Sequence, residues 1–98
     1  MDSFSKQPAE TFLIAVEFSG SLDSSETIVE ESCSASAVNL LTGEADTDVV
    51  EDPVKDGTIL NVRVKAGVSG TNYKITVTAV TDGSSTYEKD ITMIVEDE

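Results

Sequence analysis

The chain has 98 residues, 39% hydrophobic and 26% charged, which is enough for one domain with a single core. Nineteen acids against six bases give a net charge of −13, which opposes binding to nucleic acid and to anionic membranes because both are polyanions. Histidine is absent and there is one cysteine, which excludes imidazole metal sites, most catalytic triads and an intramolecular disulfide.

The first residues are polar. Residues 1–10 predict a flexible arm ahead of a single domain at residues 11–98. They form no signal peptide, because no basic segment precedes the short apolar run and Glu17 interrupts that run. No stretch approaches the ~20 apolar residues of a membrane span. The starting methionine and the acidic end predict a free-standing chain.

The first predicted strand is TFLIAVEF, residues 11–18, in which every second side chain is apolar. One face of this strand holds Phe12, Ile14, Val16 and Phe18. A polar loop follows at residues 19–26. It separates this strand from a middle region with no single register.

The middle region, residues 30–57, is predicted either as two strands or as a long loop. TDVV, residues 47–50, reads as a short edge strand that Pro53 ends. Cys33 is predicted to be buried and inert, because the chain has no histidine to activate its thiol.

The second half alternates more regularly and predicts three strands, at residues 58–66, 72–80 and 86–96. Asp82-Gly83 at the centre of the last turn predicts a hairpin. Lys89 is the one polar residue on an inward position. The other inward residues are Leu60, Val62, Val64, Ala66, Tyr73, Ile75, Val77, Ala79, Tyr87, Ile91, Met93 and Val95.

The pattern as a whole predicts an all-β fold of about seven strands without helices. Two sheets must pack face to face to cover their apolar sides, and at this length an immunoglobulin-like antiparallel β-sandwich (fibronectin type III or bacterial immunoglobulin-like) is favoured. Tyr73 opens a long strand after a Gly-rich turn, so it is predicted as a tyrosine corner, or otherwise as a core residue. Gly67, Gly70 and Gly83 are predicted as structural turn residues with positive φ.

No catalytic group is predicted, because the carboxylates lie in polar loops where nothing would raise their pKa values. Calcium is the one inorganic ligand to weigh, since hard cations bind clustered carboxylates. The candidate ligands are Asp46, Asp48, Glu51 and Asp52. Asp23 and Glu26 form a second candidate group only if the fold brings the loops together. The alternative is a solvated acidic loop, and no other cofactor is predicted.

Two segments carry a family resemblance. KQPAETFLIAVEFSGSLDSSETI (Lys6–Ile28) holds a polar arm, a first strand rich in aromatics and an E-T-I loop. VKAGVSGTNYKITVTAVTDGSSTYEKDITMIVEDE (Val64–Glu98) holds the Gly turn, the Y-x-I-T motif and an alternating last strand. In this order the motifs resemble small immunoglobulin-like structural proteins of tailed bacteriophages and prophages, encoded among head and tail genes. The resemblance implies a non-enzymatic structural protein of the host cytoplasm and the virion.

A protein partner is therefore predicted, either a virion component or another copy of the chain. The exposed faces and edges of the last strands and the acidic loops are the predicted contact surfaces. The four bases of the last strands make too weak a patch for nucleic acid; they are Arg63, Lys65, Lys74 and Lys89. The alternative function is a fibronectin-like or bacterial immunoglobulin-like binding module of a surface protein, extracellular and calcium-binding through its acidic loops.

Overall fold

The computed structural model describes residues 3–20, 22 and 26–96. This part of the chain forms two β-sheets and two short 3₁₀ turns, at Glu30–Ser32 and Thr47–Val49. The strands are β1 (Ser3–Lys6), β2 (Phe12–Glu17), β3 (Ser34–Asn39), β4 (Val54–Asp56), β5 (Ile59–Val64), β6 (Thr71–Val80) and β7 (Thr86–Val95). The predicted all-β fold is confirmed.

The larger sheet has the strand order β1-β7-β6-β3 and the smaller one the order β2-β5-β4. Neighbouring strands are antiparallel, except that β1 runs parallel to β7. Strands three, six and seven thus share one sheet, and strands two, four and five share the other. An immunoglobulin domain divides the corresponding strands in the same way. The immunoglobulin-like assignment stays a prediction that this order supports.

The core lies between the two sheets and consists of alternate residues of β2, β3, β5, β6 and β7, together with residues from the connecting segments. Those from the connecting segments are Phe18, Ile28, Val49 and Val50. The predicted inward faces of β2, β5, β6 and β7 are confirmed, with Leu60, Tyr73, Ile75 and Met93 fully buried. Phe12 and Tyr87 are partly buried against the core, and Phe18, directly after β2, is fully buried. Ala66 is the exception. It is exposed and has a φ of 52°, because β5 ends at Val64 and the chain turns before residue 66.

Strands β6 and β7 form the predicted hairpin, paired from Thr71 opposite Val95 to Val80 opposite Thr86. The turn closes when the Ser84 N–H donates to the Thr81 carbonyl at 3.1 Å. Its positive φ, 65°, belongs to Ser84. The prediction of positive φ at Gly83 is therefore wrong: Gly83 lies one position before the residue that needs it.

Strand β1 corrects the prediction of a flexible arm for Ser3–Lys6. These residues pair in parallel with β7, from Ser3 opposite Thr92 to Lys6 opposite Val95. Lys6 is only 2% exposed, and its ammonium donates to the carbonyls of Gln7 (2.6 Å), Pro8 (3.2 Å) and Ala66 (2.5 Å). A lysine gives no hydrophobic signal in the sequence, so its burial could not be predicted from the pattern.

The middle region consists of two strands, β3 and β4, with a 3₁₀ turn before each. The prediction of an edge strand at residues 47–50 is wrong. Val49 and Val50 are both buried, and consecutive buried residues fit a turn, because successive side chains of a strand point to opposite faces. Pro53 precedes β4 instead of ending a strand. Cys33 is half-buried, and its thiol donates to the Val29 carbonyl at 3.2 Å.

Candidate protein-interaction surfaces

The loop between β5 and β6 is fixed by Tyr73. Its ring is fully buried, and its hydroxyl accepts a hydrogen bond from the Val68 N–H at 3.1 Å. Gly67 has a φ of +97°, and a Cβ atom there would lie 2.9 Å from Cγ2 of Val95. Gly70 has a φ of +82° with open space around it. This loop therefore requires glycine at residue 67 for both conformation and packing, and at residue 70 for conformation.

Gly83 has a different surrounding. A Cβ atom at this position would lie 3.2 Å from Oε2 of Glu26. That carboxylate accepts hydrogen bonds from the hydroxyls of Thr81 (2.6 Å) and Tyr87 (3.0 Å). Gly83 thus leaves room for a bonded carboxylate beside the β6–β7 turn.

The acids proposed as calcium ligands are spread along the middle region. Asp48 lies exposed in the second 3₁₀ turn, and Asp52 is exposed after it. The N–H of Asp46 donates to the Ala37 carbonyl, which places this residue beside β3. Within residues 3–20, 22 and 26–96, no three Asp, Glu or Cys side chains are grouped closely enough to hold a metal ion. Asp23 lies outside the described residues. Calcium binding stays a prediction.

Glu51 has basic neighbours instead. Its carboxylate lies 3.4 Å from Nζ of Lys65 and 3.9 Å from Nε of Arg63, with all three side chains close to half exposed. Pairs at this exposure contribute little to stability, and the one carboxylate offsets part of the positive charge of Arg63 and Lys65. The surface around Glu51 is therefore less basic than these two residues alone would make it.

The two remaining bases of the last strands lie apart. Lys74 is exposed on the outer face of the larger sheet. The ammonium of Lys89 donates to the Glu17 carbonyl and lies 5.2 Å from the centre of the Phe18 ring. Lys89 pairs with the buried Val77 but is itself exposed, and the attraction of a cation to the ring quadrupole accounts for a lysine at this position of β7.

Glu17 is held at the end of β2. Its carboxylate accepts hydrogen bonds from the Thr58 hydroxyl at 2.5 Å and from the Ser19 N–H at 2.8 Å. These bonds lower the pKa of Glu17 below its ordinary value of 4.5, and the bond from Thr58 has the larger effect.

Exposed large apolar residues fall into two groups in the described part of the chain. The first, the sheet-face patch, consists of Leu13 (51% exposed) on β2 and Val54 (57%) on β4. Both lie on the outer face of the smaller sheet, opposite Arg63 and Asn61 of β5. This face therefore offers apolar surface beside the Glu51 ion pairs.

The second group, the leucine turn, consists of Leu40 (51% exposed) and Leu41 (81%) directly after β3, with Val68 (63%) in the β5–β6 loop. No role for these residues was predicted. The signal available in the sequence is a pair of leucines immediately before Thr42-Gly43, where a turn is expected to lie at the surface.

No helix in residues 3–20, 22 and 26–96 has the length and apolar character to span a bilayer. Residues 6–94 match the family described as podophage GP4 fiber-tail adaptor protein gp77. The chain belongs to this family. The gp77 match extends from the end of β1 almost to the end of β7, and it includes the middle region that the motifs left out. Neither a curated protein nor a solved structure matches the chain.

Membership of the gp77 family confirms the prediction of a small phage structural protein, and it makes the chain a component of a phage virion. The family is one of structural adaptors, which favours a non-enzymatic role. It does not favour the alternative of a binding module from a surface protein.

Proposed function

We propose that this protein is a non-enzymatic adaptor that joins a tail component to a fibre component of a podophage virion through protein–protein contacts. The observation that carries the proposal is the gp77 family match over residues 6–94, which covers nearly the whole sandwich. The sandwich supplies a rigid body, and its exposed faces and loops supply the contacts.

An adaptor must hold two partners at once, and the molecule presents two separate groups of exposed apolar side chains. The sheet-face patch lies on the outer face of the smaller sheet, at Leu13 and Val54. The leucine turn extends from the end of β3, in the larger sheet. Apolar groups with a polar surround are typical of protein-binding surfaces. Their separation supports two independent contacts.

The charge supports protein partners with basic contact surfaces. At −13 the chain repels nucleic acid and anionic lipid, and it also repels its own copies. Complementary charges would steer such partners together and make assembly sensitive to salt.

The adaptor would fold as one immunoglobulin-like domain at residues 11–98, with β1 added at its edge. It would assemble in the host cytoplasm before it becomes part of the virion.

The test is a phage from which the gene for this protein has been deleted. Virions without the protein should carry a tail but no fibres, and the gene supplied from a plasmid should restore the fibres. Electron microscopy of purified particles measures both. Fibres of normal number on particles that lack the protein would contradict the proposal.

A further inference from the structure

The leucine turn exposes two leucines on a backbone that is held rigidly. The N–H groups of Leu41 and Thr42 donate to Oδ1 of Asn39, at 2.9 and 3.3 Å. The Gly43 N–H donates to the Asn39 carbonyl at 2.7 Å, with a φ of +77° at Gly43. These bonds use main-chain groups and the Asn39 amide, so the fold of the turn does not depend on the leucine side chains. A rigid apolar group of this kind loses little conformational entropy when it binds.

Val68, the third exposed apolar residue, is connected to Leu40 by backbone hydrogen bonds at the start of β6. The Leu40 N–H donates to the Asn72 carbonyl at 2.9 Å, and the N–H of the preceding Thr71 donates to the Val68 carbonyl at 3.1 Å. Val68 itself is fixed by the Tyr73 hydroxyl. Leu40, Leu41 and Val68 therefore lie at one end of the sandwich, and each belongs to a loop held by hydrogen bonds.

Carboxylates border this apolar end. Glu44 closes the turn, since its carbonyl accepts from the Asn39 N–H at 2.8 Å, and its side chain is exposed. Glu96 is exposed and directly follows Val95, whose carbonyl accepts from the Gly70 N–H at 2.9 Å. The bases near this end are Lys74, exposed two residues beyond Asn72, and Lys6, whose ammonium is buried against the Ala66 carbonyl. The border is thus mainly acidic.

We propose that Leu40, Leu41 and Val68 form an apolar knob with an acidic border that inserts into an apolar pocket bordered by lysine or arginine on a protein of the tail or fibre. This inference rests on the proposed adaptor function. A few well-packed, desolvated residues carry most of the binding energy of a protein interface, while complementary border charges mainly set the association rate. A second copy of the chain fits this knob poorly, because its own net charge of −13 would bring like charges together.

The experiment uses the full-length protein and purified virions that lack it. Binding of the labelled protein to these particles, and attachment of fibres to the loaded particles, are measured separately. The double variant Leu40→Ser/Leu41→Ser is expected to weaken one of the two interactions at least tenfold, with an unchanged melting temperature. The control, Leu13→Ser/Val54→Ser, removes one leucine and one valine from the sheet-face patch, and both side chains are more than half exposed. It is expected to spare the interaction that the leucine-turn variant loses.

Less than tenfold weakening of both interactions by Leu40→Ser/Leu41→Ser would overturn the inference. So would an equal loss of the same interaction in the control variant. Sedimentation velocity tests whether the leucine turn binds a second copy of the chain. A dimer that forms in the wild type and disappears in the Leu40→Ser/Leu41→Ser variant would show that the partner is another copy and not a basic protein. The proposed function fails separately, if the wild-type protein neither binds the particles nor restores their fibres.

Discussion

The hydroxyl of Tyr73 accepts a hydrogen bond from the backbone N–H of Val68 at 3.1 Å, across a loop that contains two glycines with positive φ. The Tyr73 ring is fully buried, so this bond joins the core to the end of the sandwich that carries the leucine turn. The role of Tyr73 as a tyrosine corner stays a prediction, and a substitution can test it.

Tyr73→Phe is expected to lower the free energy of unfolding by about 0.5–1.5 kcal/mol, because the variant removes the hydrogen bond that the Val68 N–H donates. Urea denaturation measures the change. Val68→Ala is the control: it keeps the hydrogen bond and removes only exposed side-chain atoms, so a change within about 0.5 kcal/mol is expected. Equal effects of the two substitutions would show that the bond does not stabilise the loop.

Gly67→Ala should destabilise the protein more than Gly70→Ala. Both glycines have positive φ, which costs an alanine about 1–2 kcal/mol. Only at residue 67 would the added Cβ also lie 2.9 Å from Cγ2 of Val95, so the core must shift there. Thermal unfolding of the two variants side by side measures the difference. If Gly70→Ala is as unstable as Gly67→Ala, the backbone conformation alone causes the destabilisation and the contact with Val95 adds nothing.

Lys6→Met should loosen strand β1. The substitution keeps much of the side-chain volume, but it leaves the carbonyls of Gln7, Pro8 and Ala66 without the ammonium that donates to them. A loss of about 1–3 kcal/mol is expected, with faster amide hydrogen exchange in β1. Lys74→Met, at an exposed position, is the control and should leave exchange in β1 unchanged. Unaltered exchange in Lys6→Met would show that strand pairing alone holds β1.

The stability difference between the wild type and Glu17→Gln should depend on pH. The hydrogen bonds from Thr58 and Ser19 lower the folded-state pKa of Glu17 below 4.5, so the folded protein releases this proton more readily than the unfolded chain. The stabilisation is therefore complete above pH 4.5, and it is lost as the pH falls through the folded-state pKa. Melting temperatures of both proteins between neutral and acid pH measure it. A difference that stays constant with pH would contradict this expectation.

The strands whose side chains alternate over many residues could be predicted from the sequence. β2 and β6 bury apolar residues at every second position, and so does β7 from Ile91 to Val95. A period of two is a local property that the sequence shows directly. Strand β1 could not be found in this way. Its four residues include one partly buried aromatic, Phe4, and a buried lysine, and it is held by pairing with a strand almost ninety positions away.

The surface features depend on contacts that are distant in sequence. Glu51 has its basic neighbours on β5, and Lys89 reaches the Phe18 ring, so their charges could not be assigned to partners beforehand. The leucine turn was missed for another reason. Apolar residues in a sequence predict burial by default, and only the structure shows that Leu41, whose N–H donates to Oδ1 of Asn39, lies in an exposed turn.

The parallel pairing of β1 with β7 has a mechanical consequence for a protein of the virion. Lys6 lies beside Val95, and the Glu96 N–H continues the ladder by donating to the Lys6 carbonyl at 2.9 Å. A force that pulls Ser3 and Glu96 apart would draw the two strands past each other along their length. The hydrogen bonds of the ladder would then carry the load together in shear, instead of opening one after another from an end.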